Sequence, residues 1–151
     1  MKRRKLTIIF IIFILSFLTT GICVNGESIP IESKSAILIN GNTGEILFEH
    51  NKDEKLPPAS ITKIMTMLLT MEAIENGKIE LNDEVVISQN ASKIGGTQLY
   101  MEPGETKTVE ELLIGVAVES ANDAAFALGE YIGGTIEPFI ILMNDRAKEL
   151  G

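Results

Sequence analysis

Apolar and polar positions follow several different rhythms along this chain, and each predicts a different element. From Leu6 to Leu18 the residues are apolar apart from Thr7 and Ser16. Ser35 to Asn40 and Glu45 to His50 are strand-length runs rich in Ile, Leu and Phe. Between them, Asn40-Gly41-Asn42-Thr43-Gly44 tolerates left-handed backbone, so the pair predicts a β-hairpin. Pro57-Pro58 then hold the chain extended, and a helix is predicted over residues 60–76, stopped by Gly77. Its apolar residues (Ile61, Ile64, Met65, Met67, Leu68, Leu69, Met71, Ile74) surround the axis instead of forming one stripe, which predicts burial on most sides. Residues 78–107 are turn-rich, with Val85-Val86-Ile87 as a short strand. Thr108 and Glu111 form a capping box that opens a helix to about Val118. Ser120-Ala121-Asn122-Asp123 interrupts the apolar pattern. A helix over residues 124–132 follows, ended by Gly133-Gly134. A last helix starts near Thr135, with Pro138 in its first turn, and reaches Leu150.

The first segment changes the picture of the whole. Lys2-Arg3-Arg4-Lys5 precedes the apolar run, and small and polar residues follow to Val24-Asn25-Gly26. This is the layout of a secretory signal peptide over residues 1–26. The charge-free stretch from Leu6 to Val24 is also just long enough to span a bilayer, so an uncleaved membrane anchor is the alternative. Either way the remainder is exported. Cys23 is the sole cysteine, and the bulky Ile22 before it argues against a lipoprotein signal. Residues 27–151 therefore carry no disulfide. They hold nine Lys and Arg against 21 Asp and Glu, a net charge of −12. That balance argues against nucleic acid and an anionic membrane face as partners. With His50 the only histidine, no metal cluster is expected.

Two short motifs carry candidate chemistry. Ser60 and Lys63 lie three apart on a predicted helix, so they share a face. A neutral lysine there can take the serine proton, and burial lowers a lysine pKa because the interior disfavours the charged form. The helix N-terminus favours an oxyanion above Ser60. The bland alternative is that Ser60 caps the helix and Lys63 snorkels to water. In Ser120-Ala121-Asn122, a hydroxyl can relay protons and an amide can bind a carbonyl or hold the lysine. Capping of the next helix explains the same residues.

Together, S-x-x-K and Ser120-Ala121-Asn122 match the first two signatures of penicillin-binding enzymes. The chain resembles the D-alanyl-D-alanine carboxypeptidases, the low-molecular-mass penicillin-binding proteins of serine peptidase family S11. The resemblance also takes in Asn42-Thr43-Gly44-Glu45, the block from Leu56 to Thr66, Gly95-Gly96-Thr97-Gln98-Leu99-Tyr100, Gly104-Glu105, the block from Thr108 to Leu113 and Asp123-Ala124-Ala125. It implies an α+β, β-lactamase/transpeptidase-like fold and no cofactor. Ser60 is implied as the nucleophile, acylated by the D-Ala-D-Ala end of a peptidoglycan stem peptide, with Lys63 as proton acceptor. Ser120 is implied as a proton shuttle and Asn122 as a substrate-positioning residue. β-Lactams are implied as covalent inhibitors, and the outer face of a bacterial cytoplasmic membrane as the location.

One departure stands out. The family's third motif, Lys-Thr-Gly, is absent; Lys107-Thr108-Val109 is not it. The resemblance thus implies an incomplete domain, a hairpin plus a helical region without the later sheet strands, unstable and inactive by itself. Two other readings compete. A class A β-lactamase shares the first motif, but its second more often reads Ser-Asp-Asn, and Glu137 lacks the surroundings of a deacylating glutamate. A non-catalytic peptidoglycan-binding fragment is the third.

Overall fold

The computed structural model describes residues 30–151, and the expected signal segment lies outside them. After Lys55 the chain divides into two units. The first holds the hairpin, β1 (Ala36–Ile39) and β2 (Ile46–His50), paired antiparallel with Ala36 opposite His50 and Leu38 opposite Phe48. The expected turn chemistry is present. Asn40 Oδ1 accepts from the N–H groups of Asn42 (3.0 Å) and Thr43 (3.3 Å), and Gly44 takes φ +73°. The register shifts between Leu38 and Ile39, a bulge at the turn end.

The second unit is mainly helical. A 3₁₀ turn (Ala59–Ile61) leads into α1 (Thr62–Glu75), followed by β3 (Glu84–Val86), the single turn α2 (Gln89–Ser92), β4 (Thr106–Thr108), α3 (Val109–Glu119), α4 (Asn122–Gly133) and α5 (Ile136–Leu150). β3 and β4 pair antiparallel, with Val85 opposite Lys107. The sequence suggested β3 but not β4, because Thr-Lys-Thr has no apolar alternation. The capping box of α3 is complete: Thr108 Oγ1 accepts from Glu111 N–H at 3.1 Å, and Glu111 Oε2 accepts from Thr108 N–H at 2.8 Å. The bond from the Thr108 N–H first, and then one from the Thr108 hydroxyl to the same Oε2 at 3.1 Å, hold the Glu111 carboxyl below its ordinary range.

The core lies where α3 and α4 cross, with α1 and β3 against them. Val109, Leu112 and Val116 of α3 meet Ala124, Ala127 and Leu128 of α4, and Val85, Ile87 and Met101 close the sides. The expectation that α1 is enclosed on most sides is corrected here. Its buried residues are Thr66, Thr70 and Ala73, while Ile64 is 60 % exposed and Met71 52 %. Small side chains at spacing i, i+4, i+7 form the packing stripe, which lets α1 approach the alanine-rich α4 closely. The buried hydroxyl is satisfied locally, Thr70 Oγ1 donating to the Thr66 carbonyl at 2.8 Å. Met67 and Ile74 flank this stripe against the core, while Ile64 and Met71 point away from it.

Phe139 of α5 is 1 % exposed and seats where α4 has no side chains, at Gly129 and Gly133. A Cβ on Gly133 would lie 2.8 Å from the Phe139 backbone nitrogen and 2.9 Å from its Cβ. Alanine at 133 is therefore expected to destabilise the chain by about 2 kcal/mol, because overpacking against backbone outweighs the ~1 kcal/mol helix-propensity gain. Urea unfolding of Gly133→Ala against the parent checks this; a gain in stability would contradict the packing described.

Candidate active site

Ser60 sits in the middle of the 3₁₀ turn, and Lys63 is the second residue of α1. Lys63 Nζ donates to Ser60 Oγ at 3.3 Å. The sequence placed both on one continuous helix; the tighter 3₁₀ start still stacks residues three apart. Ser60 does not cap α1, whose N-cap position is Ile61 with no side-chain cap bond. The deep apolar setting expected for Lys63 is not found. Lys63 is half-buried, and Ile61 beside it is 67 % exposed. The exposed face of α1 explains this, since it begins at the same turn.

The pair opens onto a cleft of about 440 Å³ between α1, α4 and α5. Ser60, Lys63 and Asn122, with Thr62 and Thr66, are on its polar side, and Ala125, Phe126, Phe139 and Met143 on its apolar side. The fold thus brings three of the four expected residues together. Ser120 is not among the residues lining the cleft. It ends α3 in left-handed conformation, φ 56° and ψ 36°.

Capping does not explain the Ser-Ala-Asn-Asp segment. The N-cap of α4 is Ala121, with no side-chain cap bond. Asn122 instead turns to the loop before β4. Its Nδ2 donates to the Gly95 carbonyl at 2.6 Å, and its backbone N–H to the Thr97 carbonyl at 2.7 Å. Gly96 has φ +86°, and a Cβ there would fall 2.5 Å from Asn122 Nδ2. The glycine is needed for both the turn and the close approach. Asp123 is fully buried; its Oδ1 accepts from Leu99 N–H (3.0 Å) and Ala124 N–H (2.9 Å), and its Oδ2 from Met101 N–H (3.4 Å).

Sequence reasoning read Gly95-Gly96 only as a turn and Asp123 only as a helix-start residue, and gave none of them a part in the site. The available signals were a Gly-Gly pair and a carboxylate followed directly by alanines in a core helix. Backbone strain marks the same region. Among the described residues, four non-glycine positions have positive φ, and three of them are Ala59, Tyr100 and Ser120. Ala59 precedes the candidate nucleophile, and Tyr100 lies between two donors to Asp123. Such conformations cost ~1 kcal/mol or more and persist where surrounding contacts impose them. Chemically, a hydroxyl with an amine in reach, at a helix start and beside an oriented amide, suits acyl transfer.

Comparison with known proteins agrees with this chemistry. A family model described as D-alanyl-D-alanine carboxypeptidase matches residues 24–151. The D-alanyl-D-alanine carboxypeptidase DacF of Bacillus subtilis is 45 % identical over 155 aligned positions, covering 100 % of this chain and 40 % of the relative. DacC of Escherichia coli is 40 % identical, covering 83 % of this chain and 33 % of its own length. Among solved structures, DacD from Francisella tularensis superposes with a TM-score of 0.70 at 36 % identity, over 90 % of this chain and 33 % of that one. Penicillin-binding protein D2 from Listeria monocytogenes, in an ampicillin-bound form, superposes with a TM-score of 0.67 at 29 % identity, over 83 % of this chain and 50 % of that one. The chain thus spans two fifths or less of the length of these curated relatives. Its fold is the α+β, β-lactamase/transpeptidase-like fold of these penicillin-binding proteins, here with two small sheets.

The contact between Gly96 and Asn122 makes a local prediction. Gly96→Ala is expected to lose the bond from Asn122 to Gly95 while destabilising the chain by only about 1–2 kcal/mol, since the atom displaced is a side-chain end and the main cost is the positive φ. The side-chain amide resonances of Asn122 and a thermal melt report the two effects; an unmoved Asn122 signal would contradict the approach described.

Proposed function

The chain belongs to the D-alanyl-D-alanine carboxypeptidase family, S11 among the serine peptidases, and from that membership we propose that it carries the acyl-forming residues of a serine-type D-Ala-D-Ala carboxypeptidase. The observation that supports this most directly is the 3.3 Å bond between Lys63 Nζ and Ser60 Oγ at the mouth of the cleft. The proposed substrate is the D-Ala-D-Ala end of a peptidoglycan stem peptide. Ser60 Oγ attacks the carbonyl carbon of the penultimate D-alanine, and its proton passes to Lys63 in the unprotonated amine form that the step requires. The Ser60 backbone N–H, in the middle of the 3₁₀ turn, faces the developing oxyanion. Collapse of the tetrahedral adduct breaks the C–N bond, and the departing D-alanine amine takes up the proton. Water then hydrolyses the ester and frees Ser60.

A β-lactam acylates the same hydroxyl, but its departing nitrogen stays tethered through the opened ring. Asn122 is proposed to orient the substrate amide from the opposite wall. The proton-shuttle role of Ser120 rests on the resemblance alone. The polymer lies outside the cytoplasmic membrane, so residues 1–26 are proposed as the export signal.

Two measurements test this. The missing Lys-Thr-Gly motif led the resemblance to imply an inactive chain, but the Ser60–Lys63 bond is already formed here, so intact-mass analysis after prolonged incubation with benzylpenicillin is expected to show one slowly formed adduct on the chain and none on Ser60→Ala. Lys63→Ala should slow the adduct by about 10²–10⁴-fold, the usual worth of a general base. An adduct on Ser60→Ala, or a rate indifferent to Lys63, would sink the assignment. Separately, N-terminal sequencing of the exported protein should begin near Glu27; a retained Met1 would support the anchor instead.

A further inference from the structure

We propose that Asp123 is a positioning residue for acylation, one that never touches substrate but fixes Asn122 against the Ser60–Lys63 pair; this rests on the function proposed above. Asp123 is 0 % exposed and absent from the cleft lining, so any effect on chemistry must pass through a neighbour. That neighbour is adjacent in sequence. Asn122 is held from outside α4 by two carbonyls, Gly95 at 2.6 Å and Thr97 at 2.7 Å. Both belong to a connection between α2 and β4 with no ladder of its own. Asp123 supplies the fixed point for that connection. It takes the N–H groups of Leu99 and Met101, 24 and 22 residues away in sequence.

The two donors flank Tyr100, whose φ is +58° although its ring is 80 % exposed. Donors converging around a left-handed residue make the backbone concavity that binds anions elsewhere. Here the anion is a side chain of the same fold. Leu99 is also seated by packing. A Cβ on Gly115 of α3 would fall 2.5 Å from Leu99 Cδ1, so the leucine fills the place of an absent side chain. The chain from Gly95 to Met101 is thereby pinned at its far end by Asp123 and at its near end by Asn122. Release of the far end frees the carbonyls that orient the near one.

A merely structural Asp123 makes different predictions, so the two roles separate. Labelling time courses at a series of fluorescent-penicillin concentrations resolve initial binding from the acylation rate. Asp123→Asn keeps the size of the side chain but places an NH₂ against one of the N–H donors. It is expected to lower the acylation rate of the folded protein by about 10- to 100-fold with initial binding little changed, as a small misplacement in a site does. In an Asn122→Ala background the same substitution should have no further effect, because the neighbour it acts through is gone. Additive losses, or an unchanged rate in folded Asp123→Asn, would overturn the proposal. Should Asp123→Asn not fold, Asp123→Ser, small and favourable in a first helical turn, takes its place with the same expectations.

A second readout is independent of acylation. In the parent the Asn122 side-chain amide should show a hydrogen-bonded proton, and this signature should vanish in the variant while the amides of the later turns of α3 and α4 stay protected. An unaltered Asn122 amide refutes the proposal. If the parent fails to label at Ser60 while the amide signature behaves as expected, the acylation proposed for Ser60 has failed, and with it the role of Asp123 in acylation, while the placement of Asn122 by Asp123 stands.

Discussion

A buried carboxylate without a cationic partner is the constraint around which the second unit is arranged. Among the described residues no Lys or Arg pairs with Asp123; its acceptors are filled by three backbone N–H groups, two of them from a distant loop. Burial of such a group is tolerable only when hydrogen bonds replace its hydration. Each donor, equally, would be costly to leave unmet in the interior. The requirement runs both ways: the loop needs the carboxylate and the carboxylate needs the loop. From this follow the left-handed Tyr100, the seat of Leu99 at Gly115, and the carbonyls of Gly95 and Thr97 at Asn122. The start of α4 is thus held by its neighbours and not by a cap of its own, which is why Ala121 can occupy the N-cap position.

The strain around the cleft fits the same logic. Ala59, Tyr100 and Ser120 are each in a conformation that costs ~1 kcal/mol or more. Ala59 turns the chain sharply after Pro57-Pro58, so that Ser60 enters a 3₁₀ turn instead of extending α1. Lys63 then lies one tight turn beyond the serine, within hydrogen-bond reach. An arrangement fixed in advance need not reorganise as charge develops, which is where most enzymatic stabilisation of transition states arises. Tight packing elsewhere offsets these local costs, most visibly Phe139 against Gly129 and Gly133 and the capping box of α3.

Much of this was legible in the sequence, and the unread parts share a physical cause. The hairpin, the capping box, the glycine stops and the Ser60–Lys63 pairing depend on local chemistry, where one residue type has one dominant use. β4 was missed because its pairing with β3 is a tertiary event that three polar residues do not announce. The packing face of α1 was misjudged for a related reason. Apolar bulk at Ile61, Ile64 and Met71 suggested enclosure, but the contact with α4 selects small residues, Thr66, Thr70 and Ala73. Hydrophobicity says which residues avoid water; it does not say which ones fit a close helix crossing.

The site shows the same division. Ser60 and Lys63 could be paired by counting along a helix. Asn122 could be connected to them only through a family likeness, because 59 to 62 residues separate it from the pair. Asp123 was invisible as more than a cap, since its partners are backbone groups that carry no sequence signature. A backbone donor is available at every residue but proline, so a buried acceptor does not name its partners in advance. What the sequence does record is the complement: Gly96 and Gly115, where a side chain is excluded so that Asn122 and Leu99 can take the space. Glycines at such positions are the trace that a backbone-held loop leaves in a sequence, and one of them, Gly96, lies against Asn122 in the wall of the cleft that holds the candidate nucleophile.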